Sequence, residues 1–276
     1  MLDVSIVIVN YNARGLLRQC LKSIFDNLTL PRDKATVVVI DNNSNDDSVA
    51  MVREQFPEAR LIPLEHNGGY AKAVNFGIRS VESRYYLILN MDTTLVQPRT
   101  IERMVEFMDT HPKVGLAGPK LINPNGTTQA SSCMFPKFVY PLYRRTFLGS
   151  FSFAKKAISR YLMLDWDHNE TRAVDWVIGT GMIVRHEALQ HVGLMDERFF
   201  MYFEDVDWCR RFWESDWHVM YIHLIEVVHY HGRGSAKQHG LISIMLNRQT
   251  RVHIISWLKY VWKYLGKQQI HGKTAT

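Results

Sequence analysis

The stretch Ser5-Ile6-Val7-Ile8-Val9-Asn10-Tyr11-Asn12 is a β-branched apolar run that ends abruptly in polar residues. A short run of this kind, followed by turn-forming residues, predicts a buried strand. The same order recurs where residues 36–40 lead into Asp41-Asn42-Asn43-Ser44 and where residues 85–89 lead into Asn90-Met91-Asp92-Thr93. A polar cluster therefore follows each of these predicted strands.

Amphipathic segments separate the apolar runs. Residues 16–28, 49–56 and 70–81 have helical spacing, and residues 60–63 are a further short strand candidate. Strands that alternate with helices predict an α/β fold with a parallel sheet covered on both faces. Ligands bind outside the carboxyl ends of the strands in such sheets, so the polar clusters mark the predicted site.

Composition and charge set the broad class of protein. The 276 residues are 46% hydrophobic and 22% charged, as in a globular protein with a substantial core. We expect no secretion signal, and the spacing of Cys20, Cys133 and Cys209 suits neither a disulfide framework nor a zinc site, which favours the cytoplasm. The net charge is +6, and eight Lys or Arg but no Asp or Glu follow Glu226. We therefore assign the basic character to the C-terminal tail.

Two features of the N-terminal third are suited to a nucleotide diphosphate. Asp41 follows a strand, where a carboxylate can accept an N–H of a base, although the same segment is typical of a plain Asx turn. Gly68 and Gly69 precede the helical segment that begins at Tyr70. Glycines there let backbone amides approach a phosphate at the positive end of a helix, although a simple loop before the helix explains them too.

A divalent-cation site is predicted at the end of the strand at residues 85–89. Asn90 and Asp92 lie on the same side of the chain, where they can hold Mg²⁺ or Mn²⁺ against two phosphates. The alternative for Asp92 is a cap for the helix that follows Pro98. His229 follows the apolar residues 225–228, where a single histidine is more often structural than a ligand. With Asp92 and phosphate oxygens nearby, a neutral imidazole can complete the site.

Three carboxylates, Glu204, Asp205 and Asp207, follow an aromatic segment at residues 199–203. The helix dipole favours acidic residues in a first turn, so capping explains one or two of them but does not require all three. A carboxylate in a pocket walled by Phe200, Tyr202 and Phe203 has a raised pKa, which suits a general base near neutral pH.

Taken together, these segments resemble the bacterial family-2 glycosyltransferases of the GT-A fold, particularly the rhamnosyltransferase-like branch. The resemblance covers residues 3–235 and implies a mostly parallel central sheet flanked by helices. It implies a catalytic domain at residues 1–235 and a basic amphipathic helical tail at residues 236–276. Further matching segments are Asn67-Gly68-Gly69-Tyr70 with Asn75 and Gly77, Gly179-Thr180-Gly181, Gly193-Leu194-Met195-Asp196-Glu197 and residues 200–207.

The resemblance also implies a reaction and a set of site residues. The reaction is an inverting transfer of a sugar, with dTDP-rhamnose as the first choice of donor, to a hydroxyl of a saccharide acceptor that is lipid-linked, in cell-surface polysaccharide synthesis. Asp205 is then the base, Glu204 shapes its setting, and Asp92 and His229 bind Mg²⁺ or Mn²⁺, with His231 less favoured. The implied donor contacts are Asn12, Asp41, Gly68, Gly69, Asn75, Asn90 and Asp92, and the implied acceptor contacts are Trp176 and Thr180.

The sequence departs from the family pattern at two places. The acidic DxD motif of the family is Asn90-Met91-Asp92 here, which removes one carboxylate and predicts weaker metal binding without donor. Leu194-Met195 replaces the common Gly-Phe, which affects the expected acceptor contacts.

The tail has apolar residues at helical spacing, with Lys259, Lys263 and Lys267 on the opposite side. One interpretation is a final helix packed on the catalytic domain with solvated lysines. We favour a helix in the membrane interface, with the Trp residues and Tyr260 or Tyr264 at headgroup depth, so that the protein is peripheral on the inner face of the cell membrane. No apolar run is long enough to span a bilayer. The apolar set is Ile254, Trp257, Leu258, Val261, Trp262 and Leu265.

Two other functions fit parts of the pattern. A sugar nucleotidyltransferase also has a parallel sheet and a metal-bound nucleotide, but it usually carries a Gly-rich basic loop where Asn10-Tyr11-Asn12 stands. A basic, aromatic-rich nucleic-acid binder would use the tail, but the rest of the chain is slightly acidic, with a net charge of about −2 by formal count, which argues against a wide phosphate-binding surface. We therefore expect no nucleic-acid partner, and nothing in the sequence indicates an oligomeric state.

Overall fold

The structure is a computed structural model that describes residues 1–140, 143, 147–230, 247–267 and 270. Strands and helices alternate through the first half of the chain, as the apolar runs predict. The strands are β1 Leu2–Asn10, β2 Ala35–Asp41, β3 Arg60–Pro63, β4 Ser83–Asn90, β5 Thr93–Leu95, β6 Val114–Ile122, β7 Ser132–Cys133, β8 Arg172–Ala173, β9 Trp176–Val177, β10 Gly181–Arg185 and β11 His218–His229. The helices are α1 Arg14–Asn27, α2 Ser48–Gln55, α3 Tyr70–Ser80, α4 Thr100–Thr110, α5 Ser152–Tyr161, α6 His186–Val192, α7 Glu204–Glu214 and α8 Arg248–Tyr264, with a 3-10 turn at Phe147–Ser150.

The central sheet has the strand order β3-β2-β1-β4-β10-β6-β11-β5, and β8 adds to β11. Strands β3, β2, β1 and β4 are parallel, and β6 and β11 are parallel to each other. Strand β10 is antiparallel to both β4 and β6, and β5 is antiparallel to β11. The carboxyl ends of β1, β2, β4, β6 and β11 therefore meet at one edge of the sheet, together with the start of β10.

Alternate side chains of each central strand enter two cores. Val7 and Val9 face a core formed with α3, α6 and α7, whereas Ile6 and Ile8 face a core formed with α1, α2 and α4. Because both faces of the sheet are covered, its central strands are apolar almost throughout rather than alternating. This is why the strands were visible in the sequence as continuous apolar runs.

The expected mostly parallel α/β fold is confirmed, with two differences in detail. The sequence predicted a parallel sheet, and the antiparallel directions of β5 and β10 were missed, because side-chain alternation is the same for both directions. The apolar residues 225–228 noted in the sequence belong to a longer strand, β11, which continues through a shift in register between Ile222 and Glu226.

The C-terminal helix α8 packs on the rest of the protein, but not through the face that the sequence suggested. Its buried side chains are Thr250, Ser256, Tyr260 and Tyr264, so placing Tyr260 or Tyr264 at headgroup depth was wrong. The predicted lysine stripe is not fully solvated either, because Lys263 forms ion pairs with Asp196 and Asp207. Tyr264 is buried with its hydroxyl satisfied, because this group donates to Asp207 at 2.9 Å.

Across the described part of the chain, no helix has the length and apolarity needed to cross a membrane. The expected boundary at residue 235 lies outside the described residues, as does His231.

Candidate active site

The carboxyl ends of β1 and β2 are joined by a hydrogen-bond network around Asp41. The Asn10 side chain donates to Asp41 Oδ1 at 2.8 Å and to Ser44 Oγ at 3.1 Å, and the Ser44 backbone N–H donates to Asp41 Oδ2 at 2.9 Å. Asp41 is buried. Its carboxylate stabilises the turn at residues 41–44 and also lies at the carboxyl edge of the sheet. Asp41 thus binds the backbone of the turn that follows it, but through the N–H three residues on rather than the N–H two residues on that defines the Asx turn considered from the sequence. A donor base would have to use the remaining lone pairs of the carboxylate.

Asn12 lies at the exposed rim of the same network. Its side-chain oxygen accepts the Asn45 backbone N–H at 2.7 Å, and its own backbone N–H donates to Ser44 Oγ at 2.9 Å. Asn12 and Asp41 therefore share Ser44 as a hydrogen-bond partner. Asn10 and Ser44 belong to this site although neither was singled out from the sequence.

The Gly68-Gly69 turn does not present its amides to solvent. The Gly68 N–H donates to Asn42 Oδ1 at 3.2 Å, and the Gly69 N–H donates to Asn67 Oδ1 at 3.0 Å. The expectation that these amides approach a phosphate is therefore at odds with their contacts. Gly69 is required for a different reason: its φ is +92°, and a Cβ there would overlap the Phe200 carbonyl oxygen.

Asn75 is also committed within the protein. Its side-chain amide donates to the Met195 carbonyl at 2.8 Å and to Glu197 at 2.9 Å, and its oxygen accepts the Met195 N–H at 3.0 Å. Because all these bonds are buried or half-buried, Asn75 fastens α3 to the loop at residues 193–197. The expected donor contact of Asn75 is not supported, since no part of its amide is left to face the edge.

Asp92 and His229 are brought together by the pairing of β5 with β11, in which Thr93 faces His229. The His229 Nε2 atom lies 3.5 Å from Asp92 Oδ2. On the other side of the ring, Nδ1 is 2.9 Å from Gln129 Oε1. Gln129 also donates to the His229 carbonyl at 2.9 Å, which fixes the ring plane. An Nδ1–H that donates to Gln129 leaves Nε2 as a lone-pair donor toward Asp92.

These residues suit a divalent cation that is completed by a ligand. The Oδ1 atoms of Asn90 and Asp92 are buried and have no hydrogen-bond partner among the described residues. A buried oxygen without a hydrogen-bond partner is available to bind a cation, and Mg²⁺ and Mn²⁺ prefer oxygen ligands. The Nε2 atom of His229 offers a further lone pair beside these oxygens. Nowhere in the described ranges do three or more His, Cys, Asp or Glu side chains come together to hold a metal ion. The remaining ligands would have to come from elsewhere, such as a diphosphate.

Glu204 and Asp205 open helix α7 at the same edge. The Gly179 N–H donates to Asp205 Oδ2 at 3.0 Å, and the Val206 N–H donates to Oδ1 at 2.8 Å. Burial raises the pKa of Asp205, and burial together with the Asp205 charge raises the pKa of Glu204 well above its usual value. The N–H groups of Gly179 and Val206 stabilise Asp205 as a carboxylate, whereas the pKa of Glu204 is the more strongly raised of the two.

The cation side and the carboxylate pair are linked through the residues before β10. Asn90 donates from its backbone to the Thr180 carbonyl at 3.1 Å and from its side chain to Thr180 Oγ1 at 3.3 Å. The preceding residue, Gly179, donates its N–H to Asp205, and its carbonyl accepts the Tyr70 hydroxyl at 2.7 Å. Burial raises the pKa of Tyr70 well above its usual value, and the charges of Glu204, Asp205 and Asp92 raise it further.

The two predicted acceptor residues are largely covered. Thr180 is buried and its side chain faces Asn90. Trp176 is buried in β9, and its Nε1–H donates to the Met134 carbonyl at 2.8 Å. Both residues therefore stabilise the edge of the sheet. An acceptor could contact only the small part of each side chain that is exposed. Of the residues that were not predicted, Gln129 and Tyr70 have the most direct contacts with the predicted site.

Comparison with known proteins identifies the family of the chain. The family model "Glycosyl transferase family 2" matches residues 5–192. The chain belongs to glycosyltransferase family 2. The matched region contains the strand ends, the Gly68-Gly69 turn, Asn90, Asp92 and Thr180, whereas Asp205 and His229 lie beyond it.

Two curated relatives match most of this family-2 glycosyltransferase. It is 28% identical over 250 residues to the N-acetylglucosaminyl-diphospho-decaprenol L-rhamnosyltransferase of Mycobacterium tuberculosis, covering 86% of this chain and 79% of that protein. It is 28% identical over 245 residues to the dTDP-rhamnosyl transferase RfbF of Shigella flexneri, covering 87% of this chain and 73% of that protein.

Solved structures show the same fold. A crystal structure of GalNAc-T7 with UDP, GalNAc and Mn²⁺ aligns with a TM-score of 0.61 at 14% identity, covering 84% of this chain and 44% of that one. The structure of S. aureus TarS 1-349 aligns with a TM-score of 0.58 at 15% identity, covering 96% and 73%. At these identities the likeness establishes the GT-A fold alone.

We predict that Gly69→Ala lowers both stability and transferase activity, because an alanine at φ +92° is strained and its Cβ overlaps the Phe200 carbonyl. The strain alone costs about 1–3 kcal/mol. Gly68→Ala is the matched control, since its Cβ would meet only the flexible end of Lys72. Thermal unfolding and turnover of the two variants measure the difference. Equal behaviour would contradict the assigned contact between this turn and Phe200.

Proposed function

We propose that this glycosyltransferase transfers L-rhamnose from dTDP-rhamnose to a hydroxyl of a lipid-linked saccharide during synthesis of a cell-surface polysaccharide. The names of the two relatives support the sugar, the nucleotide and a lipid diphosphate acceptor. The main structural support for this reaction is the position of Asp205. The Gly179 N–H binds its carboxylate at the same edge of the sheet at which Asp92 lies. Asn12 and Asp41 are the proposed contacts for the nucleotide.

Asp205 is the proposed general base. Burial raises the pKa of Asp205, so this carboxylate accepts the acceptor hydroxyl proton more readily than an exposed aspartate would. Glu204 keeps its own proton and adds no second negative charge beside the attacking oxygen. The hydroxyl oxygen then attacks the anomeric carbon from the face opposite the departing diphosphate. One displacement with one base and no protein nucleophile inverts the anomeric configuration.

Asp92 and His229, with Asn90, are the residues proposed to hold Mg²⁺ or Mn²⁺ together with the donor diphosphate. When bound, the cation neutralises negative charge that develops on the leaving diphosphate. Gln129 orients the His229 ring for this contact. With a single carboxylate in the protein part of the site, we infer that metal binding depends on the donor.

We predict that Asp205→Asn folds normally and lowers kcat by about 10²–10⁴-fold, because an amide cannot accept the proton. Glu204→Gln should lower kcat much less, since Gln reproduces the shape and neutrality of a protonated Glu204. Release of dTDP from dTDP-rhamnose, with circular dichroism to check folding, measures both. The surface change Asp33→Asn serves as a control. If Asp205→Asn kept more than a tenth of wild-type turnover, Asp205 would not be the base.

We predict that EDTA abolishes turnover and that added Mn²⁺ or Mg²⁺ restores it. Asp92→Ala should raise the donor KM strongly because the site loses its only carboxylate, and His229→Ala should do so less. Gln129→Leu should resemble a mild form of His229→Ala, since it frees the ring without removing it. Initial rates at several metal concentrations test all three variants. Full activity in excess EDTA would refute the proposed cation site.

Helix α8 supports a peripheral membrane location. Its outer side exposes Ile255, Leu258 and Trp262, and Leu265 directly after the helix is also exposed; the last two side chains are 81% and 72% exposed. Spacings of three and four residues place these side chains on one stripe of the helix. An apolar stripe beside exposed basic residues, such as Arg248 and Lys259, is typical of helices that lie in an anionic membrane interface.

A second basic segment lies elsewhere in the chain. Residues 110–164 contain eight Lys or Arg and no Asp or Glu, although the chain outside the tail has a net charge of about −2 by formal count. Phe138 of this segment lies 5.5 Å from the Trp257 ring of α8, measured between ring centroids, and it is itself exposed. The proposed membrane surface therefore joins α8 to Phe138.

We predict that the protein co-sediments with vesicles containing phosphatidylglycerol at low salt and less with phosphatidylcholine alone. Each basic residue near an anionic surface adds about 1 kcal/mol, which salt then screens. The double variant Leu258→Ser/Trp262→Ser should remain in the supernatant, because it removes exposed apolar area without touching the packed face. Equal pelleting of the variant and the wild type would show that α8 is not the membrane contact.

A further inference from the structure

The segment that leads into the carboxylate pair has a backbone conformation that its side chains disfavour. Tyr202 has φ +70° and Phe203 has φ +68°, so two consecutive bulky residues are left-handed. Phe203 is the residue directly before helix α7, whose first two residues are Glu204 and Asp205. The dihedral angles at these two positions therefore decide where α7 begins and in which direction Asp205 points. We call residues 199–203 the base loop.

Left-handed aromatic residues persist only where surrounding contacts enforce them. On one side of the base loop is the Gly68-Gly69 turn, from which the Tyr70 N–H donates to the Phe200 carbonyl at 2.7 Å. This contact holds the beginning of the loop. It does not reach the two left-handed residues.

The contacts at Tyr202 and Phe203 come from α8. The His253 ring lies 5.0 Å from the Tyr202 ring and 5.4 Å from the Phe203 ring, between centroids. The Tyr260 ring is 5.4 Å from that of Phe203. Ser256 completes the face by donating from Oγ to the Met201 carbonyl at 2.8 Å. One face of the C-terminal helix therefore covers the disfavoured segment.

Helix α8 is itself anchored to α7 by buried charge. Asp207, the third of the carboxylates noted in the sequence, is buried, and it accepts the Tyr264 hydroxyl at 2.9 Å and pairs with Lys263. Arg211 Nε donates to its second oxygen at 2.9 Å. The first turn of α7 thus has two functions: Asp205 faces Gly179, whereas Asp207 fastens the helix that holds the base loop.

We propose that α8 is part of the catalytic apparatus, with His253 and Ser256 as positioning residues that fix the base loop and so aim Asp205. This proposal rests on the proposed role of Asp205 as the base. It gives α8 two independent faces: an inner face that sets the geometry of catalysis and an outer face that exposes the apolar stripe. The inner face acts whether or not a membrane is present.

The test compares His253→Ala, Ser256→Ala and the rescue variant His253→Phe with Gln249→Ala, an exposed change one turn earlier on the same helix. All are made in the full chain and assayed without membranes, with dTDP-rhamnose and a short-chain lipid-diphosphate N-acetylglucosamine. We expect His253→Ala to lower kcat by about 10–100-fold, the scale of a misplacement of about 1 Å, with the donor KM changed less than about threefold. Ser256→Ala should show a smaller loss, His253→Phe should recover most of kcat, and Gln249→Ala should match the wild type.

Amide hydrogen exchange provides a readout that needs no substrate. Residues 199–206 should exchange faster in His253→Ala and Ser256→Ala than in the wild type, and Gln249→Ala should leave them unchanged. If His253→Ala does not fold, Ser256→Ala decides the question alone. Unchanged exchange in this segment, or a kcat within twofold of the wild type in folded His253→Ala and Ser256→Ala, would overturn the proposal. An Asp205→Asn variant that stays active would instead refute the base assignment on which the proposal rests.

Discussion

The antiparallel placement of β10 between β4 and β6 is the constraint on which the site depends. Because β10 runs against its neighbours, its beginning lies where the parallel strands end. The backbone of residues 179–180 therefore reaches the same edge as Asn90. Thr180 contacts Asn90, and Gly179 contacts both Asp205 and Tyr70. Without this strand direction, the proposed cation residues and the proposed base would have no common support.

Much of the fold and part of the site could be predicted from the sequence, since the relevant signals are local. The apolar runs before Asn10, Asp41 and Asn90 identify buried strands, and the ends of parallel strands share one edge. Strand direction is not local, so the turn at Gly179 could be placed only through a family resemblance. Gln129 gave no signal at all, because it acts by contacting His229, which is 100 residues away in the sequence.

The misread residues share a physical reason. Gly68, Gly69 and Asn75 belong to motifs that suggest a direct contact with a ligand. Their hydrogen-bonding groups instead bind other parts of the protein. A buried polar group must be satisfied, and the sequence does not reveal whether the partner is a ligand or another part of the chain. In α8, helical spacing found an amphipathic helix but not its buried face, because Tyr264 is buried and Lys263 half-buried through partners on α7 and the loop before it.

Binding of a nucleotide sugar at the strand ends is the central claim, and a thermal-unfolding panel tests it most directly. Purified protein would be heated with dTDP-rhamnose, UDP-sugars and GDP-sugars, each with Mn²⁺ and with EDTA. A hundredfold excess over Kd adds about 2.7 kcal/mol to stability, which corresponds to roughly 5–10 °C for a chain of this size. The account predicts such a shift for dTDP-rhamnose with Mn²⁺, and a smaller one with EDTA. An unchanged unfolding temperature across the whole panel would contradict it.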